Sequence, residues 1–206
     1  MLIEFDMLME KYEIPRGIIH IGAHRLQERD RYLKHGIKNI IWIEANKKIF
    51  NEMLNKISSS ESIFNTLVSD EDNKEYIFKI TNNEQSSSLL NLDKHKIYHP
   101  DVFVVDAQKL YSKRMDTLIN EQSINIDQYN FLNIDIQGAE LFAIKGFGDY
   151  IKNVDYIYTE INSEHLYEDC PLVTDIDEYL NNFNFKRVET KMTSCKWGDA
   201  FYVKSL

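Results

Sequence analysis

Cysteine, proline and glycine are scarce in this chain: its 206 residues include 2 cysteines, 3 prolines and 7 glycines. Cys170 and Cys195 show no metal-ligand spacing. A chain of this length buries a full core without cross-links. No stretch rich in proline or glycine marks a linker and no segment repeats, so residues 1–206 read as a single domain. Positive charge is short as well, with 24 Lys and Arg against 33 Asp and Glu for a net charge of −9. That balance argues against non-specific nucleic-acid binding and against anionic membranes. No apolar run approaches the ~18 residues that a membrane span needs. The opening Met1-Leu2-Ile3-Glu4-Phe5-Asp6 lacks the basic and apolar regions of a signal peptide. The expectation is a cytoplasmic protein with reduced thiols.

What is present is an alternation of short apolar runs and amphipathic segments. A helix is expected within 1–14, with Leu2, Phe5, Leu8, Met9 and Tyr12 at helical spacing, and a Rossmann-like core over 17–206. Strands are expected at 17–21, 39–44, 63–68, 76–80, 102–105, 131–135, 154–161, 185–190 and 200–203. Helices are expected at 26–35, 49–57, 115–120, 138–145 and 176–182. Residues 82–100 read as a long polar loop. This order calls for an α/β fold, one doubly wound sheet.

In such sheets ligands bind outside the carboxyl ends of the strands. Gly22-Ala23-His24 follows the first strand and Glu44 ends the second. Ser69-Asp70 follows the third, Asp135-Ile136-Gln137-Gly138 the fourth, and Glu160 lies near the end of the fifth. A glycine at 22 lets a ligand approach the backbone, and a carboxylate at 44 can accept hydrogen bonds from both ribose hydroxyls. The pattern names a nucleoside. A dinucleotide needs further glycines for its pyrophosphate, and Leu26, Gln27 and Glu28 stand there instead. S-adenosylmethionine, which has no phosphate, fits better than a nicotinamide cofactor. The cofactor-binding set is therefore Gly22, Ala23, His24, Glu44, Ala45, Ser69, Asp70 and Asp135. A catalytic base is expected among Asp135, Glu160 and His165. A divalent metal on those three residues is a less favoured arrangement, because no dedicated ligand spacing is present. Glu140 reads either as a first-turn acid facing the helix dipole or as a member of the site. Ser86, Ser87, Ser88 and Tyr98 are expected to bind the acceptor, and His95 and His99 nearby could stack on or bond a sugar ring.

These motifs, in this order and spacing, resemble the FkbM family of S-adenosylmethionine-dependent methyltransferases. The resemblance rests on Ile21-Gly22-Ala23-His24, Ile43-Glu44, Leu67-Val68-Ser69-Asp70, Ser86-Ser87-Ser88-Leu89, Arg114-Met115-Asp116-Thr117-Leu118 and Ile134-Asp135-Ile136-Gln137-Gly138-Ala139-Glu140. Tyr158-Thr159-Glu160-Ile161 and Gly198-Asp199-Ala200-Phe201 complete it. Leu26 departs from the family pattern, which usually has a further glycine there. The resemblance implies a class I methyltransferase sandwich, with a mostly parallel seven-stranded sheet whose last strand is antiparallel. It also implies O-methylation of a sugar or glycan hydroxyl, or of a polyketide-type small molecule. A non-catalytic module that binds S-adenosylmethionine or a nucleotide is the rival reading. The domain could act alone or within a larger glycan-synthesis protein.

Overall fold

The computed structural model describes residues 1–205. The β-branched runs form the inner strands. β1 (Ile18–Ile21), β2 (Ile40–Glu44) and β7 (Phe131–Ile134) are buried along their whole length, as strands covered on both faces must be. With β3 (Glu61–Asn65), β8 (Tyr156–Asn162), β9 (Phe185–Met192) and β10 (Trp197–Lys204) they make a seven-stranded sheet in the order β3-β2-β1-β7-β8-β10-β9. The β1, β2, β3, β7 and β8 pairings are parallel, and β10 runs antiparallel to both β8 and β9.

Alternation along the strands sends side chains to two cores. On one face Ile21, Ile43, Leu132, Ile134, Ile157 and Ile161 pack with α5 (Met115–Glu121), α6 (Glu140–Gly146) and α7 (Val173–Asn181). On the other, Ile18, Trp42, Phe131, Tyr158 and Phe201 pack with α1 (Phe5–Lys11), α2 (Arg29–Lys34) and α3 (Lys47–Met53). No helix among the described residues is long and apolar enough to cross a membrane.

The strand order reverses between β1 and β7. Chains diverge there to opposite sides of the sheet, leaving a crevice at the carboxyl ends. Gly22 and Asp135 stand at its two lips, since Asp135 N–H donates to Ile21 O at 3.0 Å.

Three elements differ from the sequence expectation. The strand expected over 63–68 is two strands: β3 joins the main sheet and β4 (Leu67–Val68) joins a smaller one. The strand expected at 102–105 is only the start of β6 (Val104–Lys113), a ten-residue strand paired antiparallel with β5 (Glu75–Thr81). Much of β6 is exposed and polar, so it gives no apolar signature of its length. The helix expected over 26–35 begins only at Arg29, because His24 and Leu26 adopt φ of 42° and 63°. The polar loop holds one helical turn, α4 (His95–Tyr98), and Ser88 pairs with Lys79 of β5. The small sheet β4-β6-β5 thereby presents this loop to the crevice.

Candidate active site

The turn after β1 is drawn over β2: the N–H groups of Gly22 and Ala23 both donate to Ile43 O, at 2.9 and 3.0 Å. Glu44 is buried and fixes the same turn, accepting from His24 N–H at 2.9 Å and Asn46 N–H at 2.7 Å. Burial pushes its carboxyl above the usual range. Asn46 in turn caps α3 through Lys48 N–H at 3.0 Å. Glu44 and Ala45 line a cavity of about 60 Å³ whose other walls include Ile49, Leu67, Phe78 and Leu89. It is an apolar slot with a carboxylate at one side. Glu84 also lines this slot and pairs with Arg25 at 2.6 Å and Lys48 at 2.8 Å.

A second cavity, of about 330 Å³, adjoins it; Gly22, His24, Gln85, Asp135 and Gln137 line both. Asp135 and Glu160 carry its carboxylates on adjacent strand ends. The two are joined by Gln137, held in the left-handed region at φ 60°. Its amide N–H donates to Asp135 Oδ1 at 2.8 Å and to Glu160 Oε2 at 3.0 Å, and its carbonyl accepts from Tyr167 O–H at 2.6 Å. Glu140 lies behind them and accepts from Ile136 N–H at 2.9 Å and Gly138 N–H at 3.1 Å. One oxygen from each of Asp135, Glu140 and Glu160 falls within 4.8 Å of the others. Asp135 is exposed into the cavity, while Glu140 and Glu160 are buried. Desolvation inside the cavity pushes Asp135 to about 6, burial pushes Glu140 to about 7, and burial with the neighbouring carboxylates raises Glu160 well above its ordinary value. The cluster therefore holds protons into the neutral range and titrates as a unit.

The cavity floor is a polar row crossing three strands. His20, Asn133 and Tyr158 are register partners on β1, β7 and β8. Asn133 donates to Tyr32 Oη at 2.6 Å, and the same hydroxyl lies 3.2 Å from His20 Nδ1. Burial holds His20 down at about 4, so its imidazole is neutral. Tyr158 donates to Asp199 and accepts from Ile3 N–H at 3.1 Å, while Leu2 N–H also donates to Asp199. The N-terminal segment is thus strapped to the cavity rim. On the opposite wall His95 is pushed down to about 4, and its buried Nδ1 has no partner.

The family model for the methyltransferase FkbM domain matches residues 20–187. The chain belongs to the FkbM methyltransferase family. Its fold is that of the Rossmann-like methyltransferases. Magnesium protoporphyrin IX methyltransferase from Synechocystis PCC 6803, solved with bound S-adenosylmethionine, superposes with a TM-score of 0.51 at 12% identity, over 97% of this chain and 76% of that one. The ribosomal protein L11 methylase of Lactobacillus delbrueckii gives a TM-score of 0.51 at 12% identity over the same shares. A Listeria monocytogenes protein gives 0.53 at 8% identity, over 98% of this chain and 68% of that one. No curated protein sequence is significantly similar to the chain.

Within this methyltransferase, Gly22, His24, Glu44, Ala45 and Asp135 of the expected cofactor set line the cavities, and Asp135 and Glu160 meet as expected. Ala23 is buried beneath its turn in the core facing α1. Ser69 and Asp70 line neither cavity: Ser69 Oγ donates to Asp70 at 3.1 Å and Asp70 O accepts from Arg114 at 2.7 Å. Ser86 faces the larger cavity and Ser87 the smaller. Ser88 is instead a structural tie, donating to Gln137 O at 2.8 Å. Tyr98 packs against the cluster of Leu92, Leu166, Tyr167 and Cys170 rather than lining a cavity. His165 is exposed, with Nδ1 2.9 Å from Cys170 O, and does not reach the carboxylates. Glu140, for which two readings stood open, lies beside Asp135 and Glu160. His95 and His99, expected near the acceptor, line the larger cavity, as do Gln137 and Asp199, for which no role was expected. Asp199 was legible in principle, as an acid inside an otherwise apolar last strand.

Proposed function

We propose that this protein is an S-adenosylmethionine-dependent O-methyltransferase whose acceptor is a hydroxyl of a sugar or glycan. One observation carries the reading: the apolar slot bearing Glu44 opens, past Gly22 and Asp135, into a larger polar cavity bearing an acid pair. The donor set fits the cofactor. Glu44 would receive the ribose hydroxyls, Ile49, Leu67, Phe78 and Leu89 would flank the base, and Gly22 with His24 would lie along the amino-acid end. When bound, the cofactor supplies an activated methyl group on a sulfonium.

The protein's share is orientation and proton handling. Holding a hydroxyl in line with that methyl removes much of the entropic barrier. Asp135, the open member of the pair, takes the hydroxyl proton as the new bond forms. Gln137 keeps the Asp135 and Glu160 oxygens apart and supplies each with a donor, so their shared proton inventory stays in place. Ser86 and the imidazoles of His95 and His99 offer hydrogen bonds to a polyol, and Trp197 and Tyr167 offer faces to a ring. A pure binding module has no use for two convergent carboxylates of raised affinity for protons.

Calorimetry with S-adenosylhomocysteine, followed by transfer of labelled methyl to a glycoside panel, tests the reading. Binding of S-adenosylhomocysteine with label in a glycoside ether is expected. Binding without transfer to any hydroxyl acceptor would favour the binding module, and binding of NAD alone would overturn the cofactor assignment.

A further inference from the structure

We propose that the larger cavity selects its acceptor by charge, admitting neutral and amino-bearing polyols and excluding phosphorylated or carboxylated ones. This rests on the methyltransferase reading above.

Four acids line that cavity: Glu28, Asp135 and Asp199, with Glu160, on which burial favours the proton. No lysine or arginine lines it among the described residues. The Met1 amino group is the one cationic atom at the wall, and it sits 3.8 Å from Glu28. Cations on the surrounding elements are engaged elsewhere. Arg25 is bound by Glu52 at 2.9 Å and Glu84 at 2.6 Å, and Lys94 and Lys196 both turn to Glu164, at 3.1 and 3.7 Å. Beyond that amino group, which already faces Glu28, an anionic group entering here meets no partner of opposite sign.

Three of the four histidines on this wall do not reverse this. Burial holds His20 and His95 at about 4 and lowers His24, so these rings are neutral at physiological pH. His95 adds an independent sign of what the cavity lacks: a side chain only 5% exposed, lining the wall, whose Nδ1 has no partner. A neutral imidazole carries one N–H donor and one acceptor nitrogen, and a polyol hydroxyl, which both donates and accepts, meets an unpartnered Nδ1 in either tautomer. The cofactor brings a sulfonium and an ammonium against one carboxylate, one net positive charge against the acids of the wall. The field that an acceptor meets stays negative, and in a cleft with low-dielectric walls such a field is focused.

Four hexopyranoses of nearly one shape test this: methyl glucoside, glucosamine, glucuronate and glucose 6-phosphate. Saturation-transfer NMR at neutral pH, with the protein saturated in S-adenosylhomocysteine, reads their binding. Methyl glucoside and glucosamine are expected to bind, and the two anions about tenfold or more weaker, as a difference of ~1.4 kcal/mol sets. Glu28→Gln, outside the reacting pair, is expected to narrow that gap, which also ties the signal to this cavity. Equal or tighter binding of the anions overturns the inference. So does silence from both methyl glucoside and glucosamine while S-adenosylhomocysteine is bound. Failure of S-adenosylhomocysteine itself to bind would instead strike the methyltransferase reading.

Discussion

Gly22 and Asp135 touch backbone to backbone across the switch point: a β-carbon on Gly22 would stand 1.8 Å from the Asp135 carbonyl oxygen. The glycine also sits at φ 86°. Gly36 shares the left-handed conformation, at φ 77°, but a β-carbon there meets nothing within 4 Å. Gly36→Ala is expected to cost only about 1 kcal/mol of backbone strain. Gly22→Ala adds a clash with fixed backbone and is expected to cost about 3 kcal/mol or more. Urea unfolding of the two variants measures the difference.

Asp135→Asn and Glu160→Gln are each expected to lower turnover about 10²–10⁴-fold, the range of a lost general base. Glu160 lies outside the slot that bears Glu44 and Asp135 only edges it, so binding of S-adenosylhomocysteine is expected to be largely kept. Full activity in both variants would remove the acid pair from the mechanism.

Glu44→Ala strips two backbone N–H groups, at His24 and Asn46, of their acceptor. The expected cost is about 2 kcal/mol of stability. Binding of S-adenosylhomocysteine should weaken about tenfold or more as charge-assisted bonds to the ribose are lost. Calorimetry and thermal unfolding read the two effects separately.

The buried acids set a pH signature. Asp135 and Glu140 hold their protons to about 6 and about 7 in the fold, above the usual carboxyl value. Between roughly pH 4 and 7 the folded protein therefore binds more protons than the unfolded chain, and stability falls as pH rises. Turnover moves the other way, rising across the same window as the base is freed. Glu140→Gln keeps an acceptor for Ile136 and Gly138 while removing one titrating group. It is expected to flatten the decline in melting temperature between pH 5 and pH 8.

Chelation is expected to leave turnover unchanged. The three acids are already supplied with donors, from Gln137, Ile136 and Gly138, and their mutual repulsion is relieved by protonation. Loss of activity in a chelator, restored by magnesium, would assign the cluster to a cation.

The strand ends were legible because of how parallel sheets are built. Ile18–Ile21, Ile40–Ile43 and Phe131–Ile134 are nearly all apolar, so the residue that breaks each run marks the crevice. Gly22, Glu44, Asp135 and Glu160 follow from that alone. What stayed hidden depends on loops and long-range packing. His165 lies five residues past Glu160, yet the chain turns it toward Cys170. His95 and His99 stand out as candidates for a sugar, yet their place on the cavity wall depends on the 82–103 segment folding back, as Asn82 N–H binding Phe103 O closes that loop. Glu140 carried two readings at once, since a buried acid in a helix's first turn and a solvated one look alike in sequence.

Glu84 lines the smaller slot and is held there by Arg25 and Lys48. If S-adenosylhomocysteine leaves that slot by way of this loop, the ion pairs must loosen first. Counterions would then hasten its departure, and a salt-accelerated turnover would mark egress, rather than chemistry, as the slow passage of the cycle.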